Sequence, residues 1–163
     1  MVSVRVAEFP RDHESVSALL ASYLRATETE KAEHGLVAAE APLPERYGRE
    51  IADPATALAG RRILIASLDG EDCGVVVVGR SADTAEISRF WTSQDARGRG
   101  VGTALLERAL SHAGRPVRLS VWPWRESAIG LYRRYGFQTV LSWDARPELI
   151  CLELSGAGAE RRG

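Results

Sequence analysis

Phe90-Trp91-Thr92-Ser93-Gln94-Asp95-Ala96-Arg97-Gly98-Arg99-Gly100-Val101-Gly102-Thr103 is the stretch that decides the fold. It begins as the end of an alternating strand, residues 85–92. It finishes in an amphipathic helix, residues 100–112, whose apolar side carries Val101, Leu105, Leu106, Ala109 and Leu110. Gly98, Gly100 and Gly102 place three glycines within five residues at the joint. A plain strand-to-helix turn needs only one, whereas several let the main chain pass close to a ligand and adopt positive φ. A helix start leaves N–H groups unpaired and carries partial positive charge. With Arg97 and Arg99 added, the joint is a cradle for a pyrophosphate or similar anion. A phosphate-binding loop of the Gly-Lys-Ser/Thr type is disfavoured because no such triplet follows, and the spacing Gly98-x-Gly100-x-Gly102 is not the dinucleotide fingerprint. An arginine–glycine RNA tail is disfavoured because the segment is embedded in regular structure.

Upstream, residues 2–9 read as a first strand, and Asp12 is placed to cap the helix that follows, with Val16, Leu19, Leu20 and Tyr23 on one face. The pattern weakens into a charged stretch from Thr27 to Glu40, and a short helix is expected over 45–52. Residues 62–68 and 73–79 form a hairpin about the turn Asp69-Gly70-Glu71-Asp72, and 85–92 extends the meander. Alternation along that third segment puts Glu86, Ser88, Phe90 and Thr92 on one face. Downstream come a strand over 115–121, a helix over 127–134 stopped at Gly136, and a closing hairpin of 138–143 with 149–154. The expected architecture is one mixed α/β domain over 1–154, with a small-residue, charged tail over 155–163 expected to be disordered.

Composition narrows the function classes. The chain has 163 residues, 45% apolar and 26% charged, and a net charge of −1. That balance lacks the basic excess of a nucleic-acid module. No apolar run approaches the ~20 residues of a membrane span, and no signal peptide is evident, so a cytoplasmic location is the expectation. Cys73 and Cys151 read as buried reduced thiols, and His13, His34 and His112 show no metal spacing.

Two motifs then point one way. Arg97-x-x-Gly100-x-Gly102 resembles the acetyl-CoA signature of the GNAT superfamily of N-acetyltransferases. Ala128-Ile129-Gly130-Leu131-Tyr132-Arg133-Arg134-Tyr135-Gly136-Phe137 is similar to that family's Ala-x-x-Leu-Tyr-x-x-x-Gly-Phe segment, and residues 85–92 resemble its fourth strand. The resemblance covers residues 63–137. It implies a mixed, mostly antiparallel sheet flanked by helices, with the fourth and fifth strands splayed to admit the pantetheine arm of acetyl-CoA as if it were an added strand. By position, the backbone of Phe90, Trp91 and Thr92 would bond the pantetheine. The amides of Arg97, Gly98, Arg99, Gly100, Val101, Gly102 and Thr103 would hold the pyrophosphate.

The resemblance also implies transfer of an acetyl group to a primary amine of a small molecule or peptide, with no metal. Tyr132 stands where the family's acid protonates the departing sulfur, and Glu86 where histone-type members carry a base; water is the alternative base. Ser120, a base position in other relatives, is a poor base by itself. Arg125 replaces the family's usual asparagine, and is free to meet a cofactor phosphate, the acceptor or solvent. The acceptor region offers Glu28, Glu30, Glu33, Tyr47, Trp122, Trp124 and Trp143, and its acidic residues suit a cationic amine. A CoA-binding regulatory domain without catalysis, a longer acyl group and a homodimer all stay open.

Overall fold

The computed structural model describes residues 1–156; of the expected disordered tail, 157–163 lie outside the described residues. β2 (Arg62–Leu68) and β3 (Glu71–Ser81) form an antiparallel hairpin whose two turn residues, Asp69 (φ 53°) and Gly70 (φ 87°), are both left-handed. Such a pair matches the right-handed twist of the flanking strands. β1 (Val2–Val6) adds to β2, and β4 (Thr84–Thr92) to β3. β5 (Val117–Val121) runs parallel to β4, and β7 (Ile150–Leu154) pairs with β5 and with the two-residue β6 (Gln138–Thr139). The resulting seven-stranded sheet has the order β1-β2-β3-β4-β5-β7-β6.

Because side chains alternate along a strand, each central strand feeds two cores. Ile63, Ile65, Val75 and Val77 meet Val16, Leu19, Leu20 and Leu24 of α1 (His13–Glu33). Leu64, Ala66, Val76 and Val78 meet Val101, Leu105, Leu106 and Ala109 of α4 (Val101–Ala113). α2 (Glu45–Ala52) and the single turn α3 (Pro54–Ala57) lie with α1, whereas α5 (Glu126–Arg134) contributes Leu131 and Tyr132 to the α4 side.

Three local expectations change. Asp12 stands at the start of α1 but does not cap it; its carboxylate accepts from the Glu8 N–H (2.8 Å) and from Arg5 (3.0 Å), which tie the preceding turn to β1. α1 also continues through the charged stretch to Glu33, because tertiary partners outweigh the weak pattern: Thr27 and Glu30 both bond Arg125, and Lys31 pairs with Glu28 at 2.7 Å. The closing hairpin shrinks to two residues of β6. After the Val140 N–H to Cys151 carbonyl bond, Asp144 draws in both the N–H and the guanidinium of Arg146, and Pro147 offers no N–H to a ladder.

Candidate active site

β4 and β5 pair only at Ala85↔Val117 and Glu86↔Arg118; beyond Glu86, β5 continues against β7 alone. The sheet therefore opens beside residues 88–92. A bulge at that point sets which groups face the gap. Ser88 opposes Val77 and Trp91 opposes Val75, so Arg89 and Phe90 together stand against Val76. Arg89 adopts φ 55°, a left-handed backbone that costs a β-strand arginine about 1–2 kcal/mol. Its guanidinium donates from Nε and Nη2 to Glu50 of α2 at 2.9 and 2.7 Å and lies over the Tyr47 ring. These bonds offset the strain.

The bulge breaks the expected alternation. Glu86 and Ser88 face the cavity on the α1 side, where Trp91 also packs, whereas Phe90, at the edge of the same cavity, and Thr92 turn toward α4 and lie near Gly102. The backbone is re-phased as well. Ser93 N–H donates to the Cys73 carbonyl at 2.8 Å, so by alternation Trp91 directs its N–H and carbonyl to β3. Of the three residues expected along the pantetheine, Phe90 and Thr92 present main-chain groups to the gap and Trp91 does not.

Past Thr92 the chain makes a short 3-10 turn, Gln94–Ala96, and enters α4 through Gly98 (φ 77°) and Gly100 (φ 88°), conformations that side chains rarely adopt. A Cβ at either glycine would meet open space, so backbone conformation rather than crowding demands glycine here. The first bond of α4 is Ala104 N–H to Gly100 carbonyl (3.1 Å), and no side chain caps the helix. Val101, Gly102 and Thr103 thus keep N–H groups without an intrahelical acceptor. Arg97 departs from expectation. Its N–H is taken by the Gln94 carbonyl (3.3 Å), and its side chain folds back over the Trp91 ring, with Nε donating to the Thr92 carbonyl at 2.9 Å. Arg99 points to Asp69 across 3.7 Å.

Tyr132 is only 4% exposed; it sits against Phe90 (5.6 Å between rings) and lines the cavity that Glu86 and Ser120 also reach. Burial first, and Tyr23 second, push its hydroxyl well above the usual phenol range, so it carries a proton at any working pH. Glu86 has Arg118 as a loose partner at 3.8 Å and is 38% exposed along its side chain. Ser120 contacts Asp144 at 3.4 Å, a carboxylate held below its usual range chiefly by hydrogen bonds from Arg146. Tyr132, Glu86 and Ser120 all line this one cavity.

The acceptor side is less acidic than expected. Glu30 accepts from Trp124 Nε1 and Arg125 Nε, both at 2.7 Å, and Glu28 pairs with Lys31. Trp122 and Tyr47 line the cavity, and Trp124 stacks behind Trp122, with His34 on its other face. Trp143 lies outside the cavity, under Arg118. Arg89 and Arg146 were not among the residues expected at the site. A bulge leaves no compositional trace, although Asp144-x-Arg146-Pro147 is a recognisable turn signal. A more voluminous depression, about 590 Å³ against about 100 Å³, lies beside α3 and the end of α4, but shares no residue with the gap or the glycine loop.

A sheet opened beside an uncapped, glycine-led helix start is the arrangement that the resemblance implied. The chain belongs to the GNAT acetyltransferases: residues 59–139 match that family's acetyltransferase (GNAT) domain. An uncharacterized N-acetyltransferase of Methanocaldococcus jannaschii is 35% identical over 71 residues, 41% of this chain and 31% of the relative, so the chain spans about a third of that relative's length. Among solved structures, the yncA protein of Salmonella typhimurium, determined with its cofactor acetyl-CoA, superposes with a TM-score of 0.66 at 18% identity, covering 99% of this chain and 96% of that one. A GNAT-family acetyltransferase of Staphylococcus aureus gives 0.66 at 12% identity, covering 95% and 100%. At such identities the likeness concerns the fold. Among the described residues no group of His, Cys, Asp or Glu could hold a metal ion, and no helix is long and apolar enough to cross a membrane.

Proposed function

We propose that this chain is an acetyl-CoA-dependent N-acetyltransferase acting on a primary amine. The observation that carries the reading is the parting of β4 and β5 directly after Glu86, next to the uncapped N-terminus of α4. Phe90 and Thr92 would pair with the pantetheine amides as an edge strand does. The free N–H groups of Val101, Gly102 and Thr103, with the helix dipole and Arg99, would receive the pyrophosphate. Arg97 would have to release the Thr92 carbonyl for the arm to bond there.

In the reaction the amine nitrogen attacks the thioester carbonyl carbon, the C–S bond breaks, and the thiolate takes a proton. An alkyl ammonium is mostly protonated at neutral pH, so a base must first remove a proton, and Glu86, directly or through water, faces the cavity to do so. Tyr132 supplies the proton to the sulfur, and the second proton of the amine nitrogen, released as the amide forms, restores the phenol. Burial that raises its own proton affinity raises that of a thiolate beside it too, which keeps the transfer feasible. The test is calorimetry with coenzyme A, followed by thiol release from acetyl-CoA against a broad amine panel. Coenzyme A binding with no acceptor-dependent release would make this a ligand-sensing domain, and no binding at all would remove the reading entirely.

A further inference from the structure

The cleft that holds Glu86 is also lined by Lys31, Arg89, Arg125 and Arg146. Lys31 is engaged by Glu28. The three arginines are held differently, each gripped along its Nε–Nη2 edge. Glu50 takes Arg89 at 2.9 and 2.7 Å, and Asp144 takes Arg146 at 2.9 and 3.0 Å. Glu30 and Thr27 take Arg125 at 2.7 and 2.8 Å. A guanidinium carries five N–H donors in one plane, so this grip leaves the Nη1 donors of each arginine unused. Among the described residues, the buried side-chain atoms that lack a partner include Trp91 Nε1, His112 Nε2, Arg118 Nε and Trp143 Nε1 but no Nη1 of these arginines, so the unused donors are not sealed away from the cleft. The backing carboxylates cancel the net charge of the arginines. What the cleft offers is fixed N–H groups suited to the oxygens of a carboxylate, phosphonate or phosphinate.

The opposite requirement is met by Glu86, whose nearest cation stands 3.8 Å away and whose side chain is exposed to the cavity. We infer that the acceptor is an amine that bears its own anionic group, of the amino-carboxylate class, with its ammonium toward Glu86 and its anion on the free edges of Arg125 and Arg146. The faces of Tyr23, Tyr47 and Trp122 would cover the body between them. A polyamine or aminoglycoside would instead set a second ammonium, which has no acceptor, against N–H donors. The inference rests on the acetyl-transfer reading for what happens to the amine, but not for how it is recognised.

Matched pairs test it: phenylalanine against phenethylamine, and methionine against 3-(methylthio)propylamine, with spermidine as a polycation. Binding is followed through tryptophan fluorescence with coenzyme A present, and turnover through thiol release from acetyl-CoA. The anionic member of each pair is expected to bind and react at least about tenfold better, and Arg146→Ala to collapse that ratio mainly through KM, with Arg146→Lys restoring part of it. Equal or better handling of the decarboxylated partner or of spermidine overturns the inference and leaves acetyl transfer standing. Selective binding of the amino acids without thiol release does the reverse. An Arg146→Ala protein that keeps the full ratio also overturns it, and the urea midpoint of that variant separates misfolding from lost recognition.

Discussion

The N–H of Phe137 donates to the carbonyl of Tyr132 at 3.2 Å, and the two rings lie 5.7 Å apart. With Gly136 N–H bonded to the Arg133 carbonyl (3.0 Å) and Gly136 at φ 99°, this is the Schellman ending of α5, apolar contact included. The helix stop and the proposed acid are one device: the motif that ends α5 also fixes the ring of Tyr132.

Tyr132→Phe keeps the ring contacts and removes only the hydroxyl. Turnover is expected to fall at least about tenfold with the acetyl-CoA dissociation constant unchanged, read by steady-state kinetics and calorimetry. Undiminished turnover would assign the proton to another group.

Gly136→Ala adds a Cβ in a left-handed conformation and 3.1 Å from Leu154 Cδ1. It should cost about 1–2 kcal/mol in urea unfolding and lower kcat along with it, since Tyr132 loses its anchor. A variant that loses stability but keeps full kcat would show that the motif does not position the acid.

Glu86→Gln is expected to lower kcat/KM most at neutral pH, with the deficit shrinking as pH climbs toward the ~10 of a free alkyl ammonium, where the neutral amine forms without help. A pH profile parallel to that of the parent protein would remove Glu86 from the role and leave water as the base.

Glu50→Ala strips the buried partner from Arg89, which is held in its charged form despite burial by that carboxylate. Breaking such a pair costs about 3 kcal/mol, and the urea midpoint should drop accordingly. KM for the acceptor should rise at the same time, because the bulge of β4 loses its clamp. A change in stability without a change in KM would confine Arg89 to a structural role.

Asp72 accepts two bonds from Arg5 (both 2.9 Å) and one each from Ser15 and Ser67 (both 2.6 Å), joining β1, the hairpin and α1. The Arg5 bonds, followed by those of Ser15 and Ser67, hold its carboxyl far below the usual range against the opposing effect of burial. A depressed folded-state pKa contributes stability that is present above the unfolded value near ~3.9 and is lost as pH falls below it. Urea midpoints should therefore decline steeply below about pH 4, and Asp72→Asn should flatten that decline while lowering the plateau at neutral pH. An unchanged acid slope would place the linkage elsewhere.

How far the sequence could be read follows from what each signal depends on. Gly136 and the Gly98–Gly100 pair were legible because a left-handed backbone has a compositional mark. Arg89 is also left-handed, but nothing in Ile87-Ser88-Arg89-Phe90 marks it, so the extra residue in β4 and the flipped faces after it stayed hidden. Glu28 and Glu30 looked like acceptor acids because their partners Lys31 and Arg125 become visible only when α1 meets the β5–α5 connection. The length of α1 was missed for the same reason. A chain-local pattern cannot weigh a bond to a residue 95 positions away.

The bulge at Arg89 divides β4 into two independently adjustable halves. Under the proposed function, Glu86 and Ser88 would address the amine and the main chain of Phe90 and Thr92 the coenzyme, with a phase change between them, so substitutions at Glu86 or Ser88 would retune acceptor choice while leaving in place the contacts that Phe90 and Thr92 make near α4. Deleting one residue at the joint would restore plain alternation and exchange the two surfaces. For engineering purposes the strand behaves as two short adaptors joined by a half-twist, and a library confined to its first half would explore new acceptors on an unaltered coenzyme mount.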